Sequence, residues 1–93
     1  MRVLPDDAHS LDAIAHRLMM TRLAYKLNQK QFCERAGIKT NTYNQYEKAK
    51  QRISLDFAIQ LCEAYGLTLD WIYRGDPSGL KLQLARDLEV QAS

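Results

Sequence analysis

Apolar residues recur along this chain at the three- and four-residue spacing of helices, in short blocks separated by polar turns. Leu11, Ile14, Ala15 and Leu18, with Leu23 and Leu27 beyond them, predict an amphipathic first helix of roughly 16 residues. Ser10 suits its N-cap and Asp12 its first turn. Phe32, Cys33 and Ala36 predict a second helix, with Asn28 and Gln31 spaced as a capping box at its start. Gly37 then permits a sharp turn, because a residue without Cβ enters the left-handed region freely. A third helix runs from about Thr40 to Lys48 with Tyr43 and Tyr46 facing inward. Leu55, Ala58, Ile59, Leu61, Cys62 and Tyr65 predict a fourth, capped by Ser54, with Asp56 near its start and Gly66 at its end. Thr68 caps a short fifth helix bearing Asp70, Trp71 and Ile72, which Gly75 and the following Asp-Pro stop. Beyond Gly79, Leu80, Leu82, Leu84, Leu88 and Val90 mix the periods of strand and helix. The spacing of Leu84, Leu88 and Gln91 favours a short final helix. The pattern predicts an all-α fold, a compact bundle of about five helices with a short C-terminal helical extension.

Composition narrows the function classes. Ninety-three residues, 46% of them hydrophobic, suffice for one small domain. We divide the chain into an N-terminal arm (1–10), a central domain (11–75) and a C-terminal extension (76–93). The net charge is only +2, but residues 1–52 carry ten Lys/Arg against five Asp/Glu, and residues 53–93 carry three against six. Such asymmetry suggests one face that meets an anion. The arm holds Pro5, Asp6, Asp7 and one basic residue, Arg2, too few for a minor-groove arm. Cys33 and Cys62 occupy apolar helical positions and read as packed, reduced thiols, with a disulfide the less favoured alternative. With His9 and His16, which lie off the apolar stripe, they lack the spacing of a metal site, so no metal is expected. No apolar run is long enough for a membrane span and no signal peptide is visible, which together suggest a cytoplasmic protein. No Gly-rich phosphate loop or Gly-x-Ser-x-Gly occurs, and a Cys33–His16 dyad is less natural than a packing role for Cys33. We therefore expect neither an enzyme nor a cofactor.

The third helix carries the functional signal. Asn41, Asn44, Gln45 and Lys48 share one face at i, i+3, i+4 and i+7, without a carboxylate among them. A solvated face would ordinarily mix Glu with Lys. Carboxamides pair bidentately with adenine edges, and Lys suits guanine or phosphate. Lys48, Lys50 and Arg52 continue the basic character into the next loop, again with no acid between them, as phosphate contacts would require.

Asn28 to Glu47 resembles the helix-turn-helix of the phage repressor and Cro proteins, the XRE-type family of bacterial and phage regulators. With Arg22 before the motif and Leu55 to Gly75 after it, including Leu-Thr-Leu-Asp-Trp-Ile, the resemblance covers about two thirds of the chain. It implies a lambda repressor-like bundle that binds double-stranded DNA as a transcriptional regulator, by family habit a dimeric repressor. Thr40, Asn41 and Gln45 match base-reading positions, with Asn44 and Lys39 beside them. Asn28 and Gln29, at the start of the second helix, match phosphate-facing positions, joined by Lys39, Lys48, Lys50 and Arg52. Arg22 and Glu47 match a structural salt bridge. A single recognition helix reads only about four base pairs, so the resemblance implies a homodimer on a palindromic operator. Trp71, Ile72, Leu80 and Leu84 are the candidates for its interface. The chain departs from the family at Ala49, where Gly is common, at Ile53, where Pro is common, and at Tyr43, where a small branched aliphatic is usual. The first two should alter the path of the loop after the third helix. Tyr43 could send its hydroxyl toward the DNA backbone. An alternative reading is an antitoxin or other interaction module that binds a protein partner through the C-terminal tail and uses DNA binding for autoregulation. Whether that tail folds onto its own domain or against another chain stays open at this point.

Overall fold

The computed structural model describes residues 8–92, and the side chains of residues 8–89. The elements are α1 (Leu11–Ala24), α2 (Gln29–Ala36), α3 (Thr40–Glu47), α4 (Leu55–Tyr65), a single π-helical turn (Asp70–Arg74) and α5 (Leu82–Ala92), with no strand among the described residues. The architecture is all-α, as the apolar periodicity predicts. Most of the arm, including Arg2, Pro5, Asp6 and Asp7, lies outside the described residues. No helix in the described part is long and apolar enough to cross a membrane.

The helix starts follow the capping residues. Ser10 Oγ accepts the Ala13 N–H at 3.1 Å, and Ser54 Oγ accepts that of Phe57 at 3.2 Å. Asn28 Oδ1 accepts the Gln31 N–H at 2.8 Å while Gln31 Oε1 accepts that of Asn28 at 3.0 Å, which completes the capping box. Thr68 Oγ1 accepts the Trp71 N–H at 3.0 Å.

The ends follow a less visible rule. At the end of α3 the Lys50 N–H reaches the Gln45 carbonyl and the Ala49 N–H that of Tyr46, the paired bonds of a Schellman motif. The same pair closes α1, from Leu27 to Arg22 and from Lys26 to Leu23, and α2, from Ile38 to Cys33 and from Gly37 to Glu34. Each motif needs one left-handed residue. Gly37 supplies it with φ 73°, but Lys26 and Ala49 must adopt φ 60° and 59° despite their Cβ atoms. Lys26 accordingly ends α1 after 14 residues, short of the 16 expected. Ala49 takes the conformation that glycine favours, so the Schellman bonds form at the expense of strain. Ile53, in place of the common Pro, is buried in the core and offers its carbonyl to the Tyr73 hydroxyl at 2.7 Å.

The fifth helix is not a regular α-turn. The Gly75 N–H, at φ 75°, bonds back to both Asp70 and Trp71 carbonyls, and the Asp76 N–H also reaches Asp70, which widens the turn to π geometry.

An unbroken series of aromatic rings ties the helices together. Tyr25 lies 4.8 Å from Tyr65, Tyr65 stacks on Phe32 at 4.4 Å, Phe32 meets Tyr43 at 5.4 Å, Tyr43 meets Tyr46 at 6.4 Å, and Tyr46 meets Phe57 at 6.2 Å, centroid to centroid. Buried phenols need acceptors, and backbone carbonyls provide them: the Tyr65 hydroxyl donates to Phe32 at 2.7 Å and the Tyr25 hydroxyl to Tyr65. Leu18, Leu61 and Ile72 complete the centre of the core.

Three apolar positions assigned to core faces are at the surface. Leu23 is 45%, Leu55 55% and Ile59 39% exposed. Leu55 sits at the margin of the buried stripe of α4, whereas at helical spacing Ile59 and Leu23 turn away from the buried faces of α4 and α1. The C-terminal segment is helical and folds back: α5 packs on α1, and Leu84 and Leu88 join the same core as Ile14 and Phe32.

Ala49→Gly should raise stability by about 0.5–1 kcal/mol, since relief of left-handed strain exceeds the added freedom of the unfolded chain. The urea midpoint of the variant against that of the parent checks this; an unchanged or lower midpoint contradicts the strain assignment.

Candidate nucleic-acid interface

The turn between α2 and α3 is held from behind. Gln60 of α4 donates its carboxamide N–H to the carbonyls of Ala36 at 3.3 Å and Gly37 at 3.2 Å, which satisfies acceptors left open where α2 ends. Cys33 is fully buried between the helices, and both cysteines are free thiols. Burial pushes the Cys33 thiol up to about 11 against a hydrogen bond with Thr40, so it carries almost no thiolate at neutral pH.

The inner side of α3 is built on Glu47. Its side chain is 6% exposed, and its two oxygens collect four donors. Arg22 of α1 donates Nε to Oε2 at 2.8 Å and Nη2 to Oε1 at 3.0 Å. Gln29 of α2 donates Nε2 to Oε1 at 3.0 Å, and the Tyr43 hydroxyl donates to Oε2. Burial would raise the Glu47 carboxyl, but the bonds from Arg22, Tyr43 and Gln29 outweigh it and hold the group below its ordinary value. Its bond to Glu47 in turn holds Arg22 above the usual guanidinium value despite burial. Tyr43 is itself fully buried, and burial followed by the Glu47 charge drives its phenol far upward. The idea that its hydroxyl faces outward is therefore corrected: it points into the molecule, with the Leu18 carbonyl 3.4 Å away.

The outer side of α3 is the reverse. Asn41 is exposed, Asn44 and Gln45 are half-buried, and Lys39 and Lys48 are exposed. None of these five side chains makes a hydrogen bond or ion pair within the described residues. The one carboxylate of α3 is turned away from them. Thr40 is half-buried, and its hydroxyl is shared with Cys33. Of the other positions, Lys50 is exposed, Asn28 is engaged in its capping box, and Gln29 reaches Glu47. Arg52 donates Nη1 to the His9 carbonyl at 2.6 Å, which fastens the start of the described chain beside the loop after α3.

A family model described as helix-turn-helix matches residues 18–72, more than half of the chain. The chain belongs to the XRE-type helix-turn-helix family. It is 34% identical over 56 residues to the "Uncharacterized HTH-type transcriptional regulator YobD" of Bacillus subtilis (strain 168), an alignment covering 60% of this chain and 50% of that protein. The chain thus spans about half the length of this relative. No solved structure matches it.

Within this helix-turn-helix frame, several important residues carry no motif. Arg17 donates to the Ile72 carbonyl through Nε at 3.2 Å and Nη2 at 3.0 Å, and to that of Ala8, with its guanidinium 6.0 Å from the Trp71 ring centre. Burial lowers its pKa. Trp71 donates Nε1–H to the buried Thr21 hydroxyl at 2.9 Å, and Thr21 donates to the Arg17 carbonyl at 2.7 Å. The four residues assigned to a subunit interface divide accordingly. Ile72 at 1% and Leu84 at 5% exposure are spent inside the monomer, whereas Trp71 and Leu80 remain half-buried.

The Glu47 cluster makes stability pH-dependent with a defined sign. A carboxyl held below its ordinary value of 4.5 stabilises the fold fully above that value. The contribution is lost as pH falls from 4.5 through the lower folded-state value. Glu47→Gln should flatten the acid limb of stability in that window, as read from urea midpoints taken at successive pH values. At neutral pH, Arg22→Met should cost about 3 kcal/mol by stranding the carboxylate, and adding Glu47→Leu should recover part of that loss. An undiminished acid limb, or a double variant weaker than Arg22→Met, contradicts this account.

Proposed function

We propose that this chain is a sequence-specific, double-stranded-DNA-binding transcriptional regulator that seats α3 in the major groove. The observation that carries the reading is the two-sidedness of α3. Its single carboxylate is consumed inside by Arg22, while Asn41, Asn44, Gln45 and Lys48 stand outward with no partner among the described residues. A helix face whose carboxamides are left unsatisfied by the fold is suited to base edges: Asn41 and Gln45 each match an adenine N6/N7 pair, and the Thr40 methyl a thymine methyl. Lys39, Lys48 and Lys50 meet phosphates beside it, with Asn28 and Gln29 at the start of α2. Arg52 joins them on exchanging the His9 carbonyl for a phosphate. The regulator-type relative supports the same reading.

The active species is a cytoplasmic homodimer on a palindromic or near-palindromic operator, because one α3 reads too few bases for selectivity, and it represses by occupying a promoter. Trp71 and Leu80, with the exposed Leu69 and Leu82 adjoining them in the chain, supply apolar surface for the second subunit. The antitoxin alternative calls for a tail free to engage another protein, and the docking of Leu84 and Leu88 counts against it.

Selection from a randomised duplex pool tests the reading. A palindrome should be enriched and should bind two chains by sedimentation. Gln45→Ala should cost about 1–3 kcal/mol and relax preference at one position of each half-site. Lys50→Ala should weaken all sequences alike and reduce the salt slope by about 1. No enrichment at any salt concentration overturns the proposal.

A further inference from the structure

We propose that Tyr43 is a positioning residue that acts through Glu47 on the Gln29 carboxamide, and so sets the phosphate-facing end of α2; this rests on the DNA-binding role proposed above. Tyr43 is fully buried, so its hydroxyl cannot touch a nucleic acid directly. What it touches is Glu47, one helical turn on. An ionised carboxylate offers about four lone-pair sites. Here each oxygen takes two donors: Arg22 Nε and Tyr43 on Oε2, Arg22 Nη2 and Gln29 on Oε1. Arg22 alone could hold the pair, but it leaves one site open on each oxygen. The Tyr43 hydroxyl closes the inner one, which leaves Oε1 turned toward α2.

Gln29 is thereby fixed in sense as well as in place. A carboxylate only accepts, so the Gln29 carboxamide must turn an N–H toward it. The second N–H and Oε1 then have a set direction at the first turn of α2, where backbone N–H groups are unpaired within the helix. A branched aliphatic at position 43 would fill space without donating. In this chain the seating of α2 on a phosphate therefore depends on a phenol in the core of α3.

The test uses the full chain and its selected duplex with Tyr43→Phe, Gln29→Ala and the double variant. Tyr43→Phe keeps the ring and removes only the donor. It should weaken binding about threefold to tenfold, in the range of coupled hydrogen-bond partners. Gln29→Ala should weaken binding at least as much, and the double variant should be no weaker than Gln29→Ala alone. A second readout needs no DNA: the carboxyl carbon of Glu47, followed by NMR against pH, should titrate at a higher midpoint in both single variants. Losses that multiply in the double variant, undiminished binding by Tyr43→Phe, or an unmoved Glu47 midpoint overturn the inference. Should Tyr43→Phe fail to fold, Tyr43→Ile, which also lacks the donor and is of the type usual at this position, takes its place in both readouts, with the same outcomes deciding. A parent chain that binds no duplex overturns both this inference and the proposed function, whereas normal parent binding with multiplying losses overturns the inference only.

Discussion

A single buried carboxylate, that of Glu47, is the constraint on which the arrangement of α1, α2 and α3 depends. Taking a charge out of water costs several kcal/mol unless its hydrogen-bonding capacity is met. Glu47 meets it with one donor residue from each of the three helices: Arg22 from α1, Gln29 from α2 and Tyr43 from α3 itself. Net stability gained from such a cluster is small. Its value lies in direction, because a packing that separates Arg22 from Glu47 strands a buried charge. Apolar contacts between Phe32, Tyr43 and Tyr65 tolerate sliding; four hydrogen bonds to one group do not.

The short helices raise a second problem, that of stopping within two or three turns. α2 and α3 have eight residues each, too few to persist alone in water. Their ends must therefore be defined by neighbours and by closure motifs. Gly37 closes α2 without strain, but Lys26 and Ala49 close α1 and α3 in a conformation that costs non-glycine residues about 1 kcal/mol or more. Ala49 follows the α3 face directly and precedes Lys50. The strain is thus stored where the chain leaves α3, and the buried Ile53, whose carbonyl takes the Tyr73 hydroxyl, anchors the loop a few residues later.

How much of this was legible in the sequence depended on how local each determinant is. Asn28 with Gln31, Ser10, Ser54 and Gly37 act within four residues of themselves, and each does what its local pattern predicts. The outward face of α3 was equally legible, because helical spacing alone separates Asn41, Asn44 and Gln45 from Tyr43 and Tyr46. Leu55 and Ile59 were misplaced because an apolar stripe does not state its width; Leu23 was misplaced because it was grouped with Leu27 although helical spacing sets it opposite Ile14, Leu18 and Thr21. The π turn at Asp70–Arg74 arises from where Gly75 and Asp76 return their N–H groups, which no periodicity encodes. Tyr43 was placed on the inner face by its spacing, but its hydroxyl was sent outward, toward the DNA backbone, when it turns inward. Its acceptor lies one helical turn ahead, but that acceptor is available only because Arg22, 25 residues away in the chain, turns Glu47 inward. Arg17 left no trace at all, since a guanidinium bound to a carbonyl 55 residues distant looks like any surface cation.

The division of labour on α3 follows from these same constraints. The helix begins at Lys39 with no side-chain cap, and none of its outward residues pairs with another. What holds it lies on the inner side, in Tyr43, Tyr46, Glu47 and the contact of Thr40 with Cys33, or beyond its end in the bonds from Ala49 and Lys50 back to Tyr46 and Gln45. The outward positions therefore carry no structural obligation. An ordinary surface helix spends such positions on paired charges and intrahelical hydrogen bonds, which add a few tenths of a kcal/mol each. This one leaves its carboxamides unspent and removes its only negative charge from view. A fold that invests so much in the back of an eight-residue helix, and so little in its front, has separated the residues that hold the helix from those free to be chosen for what it meets.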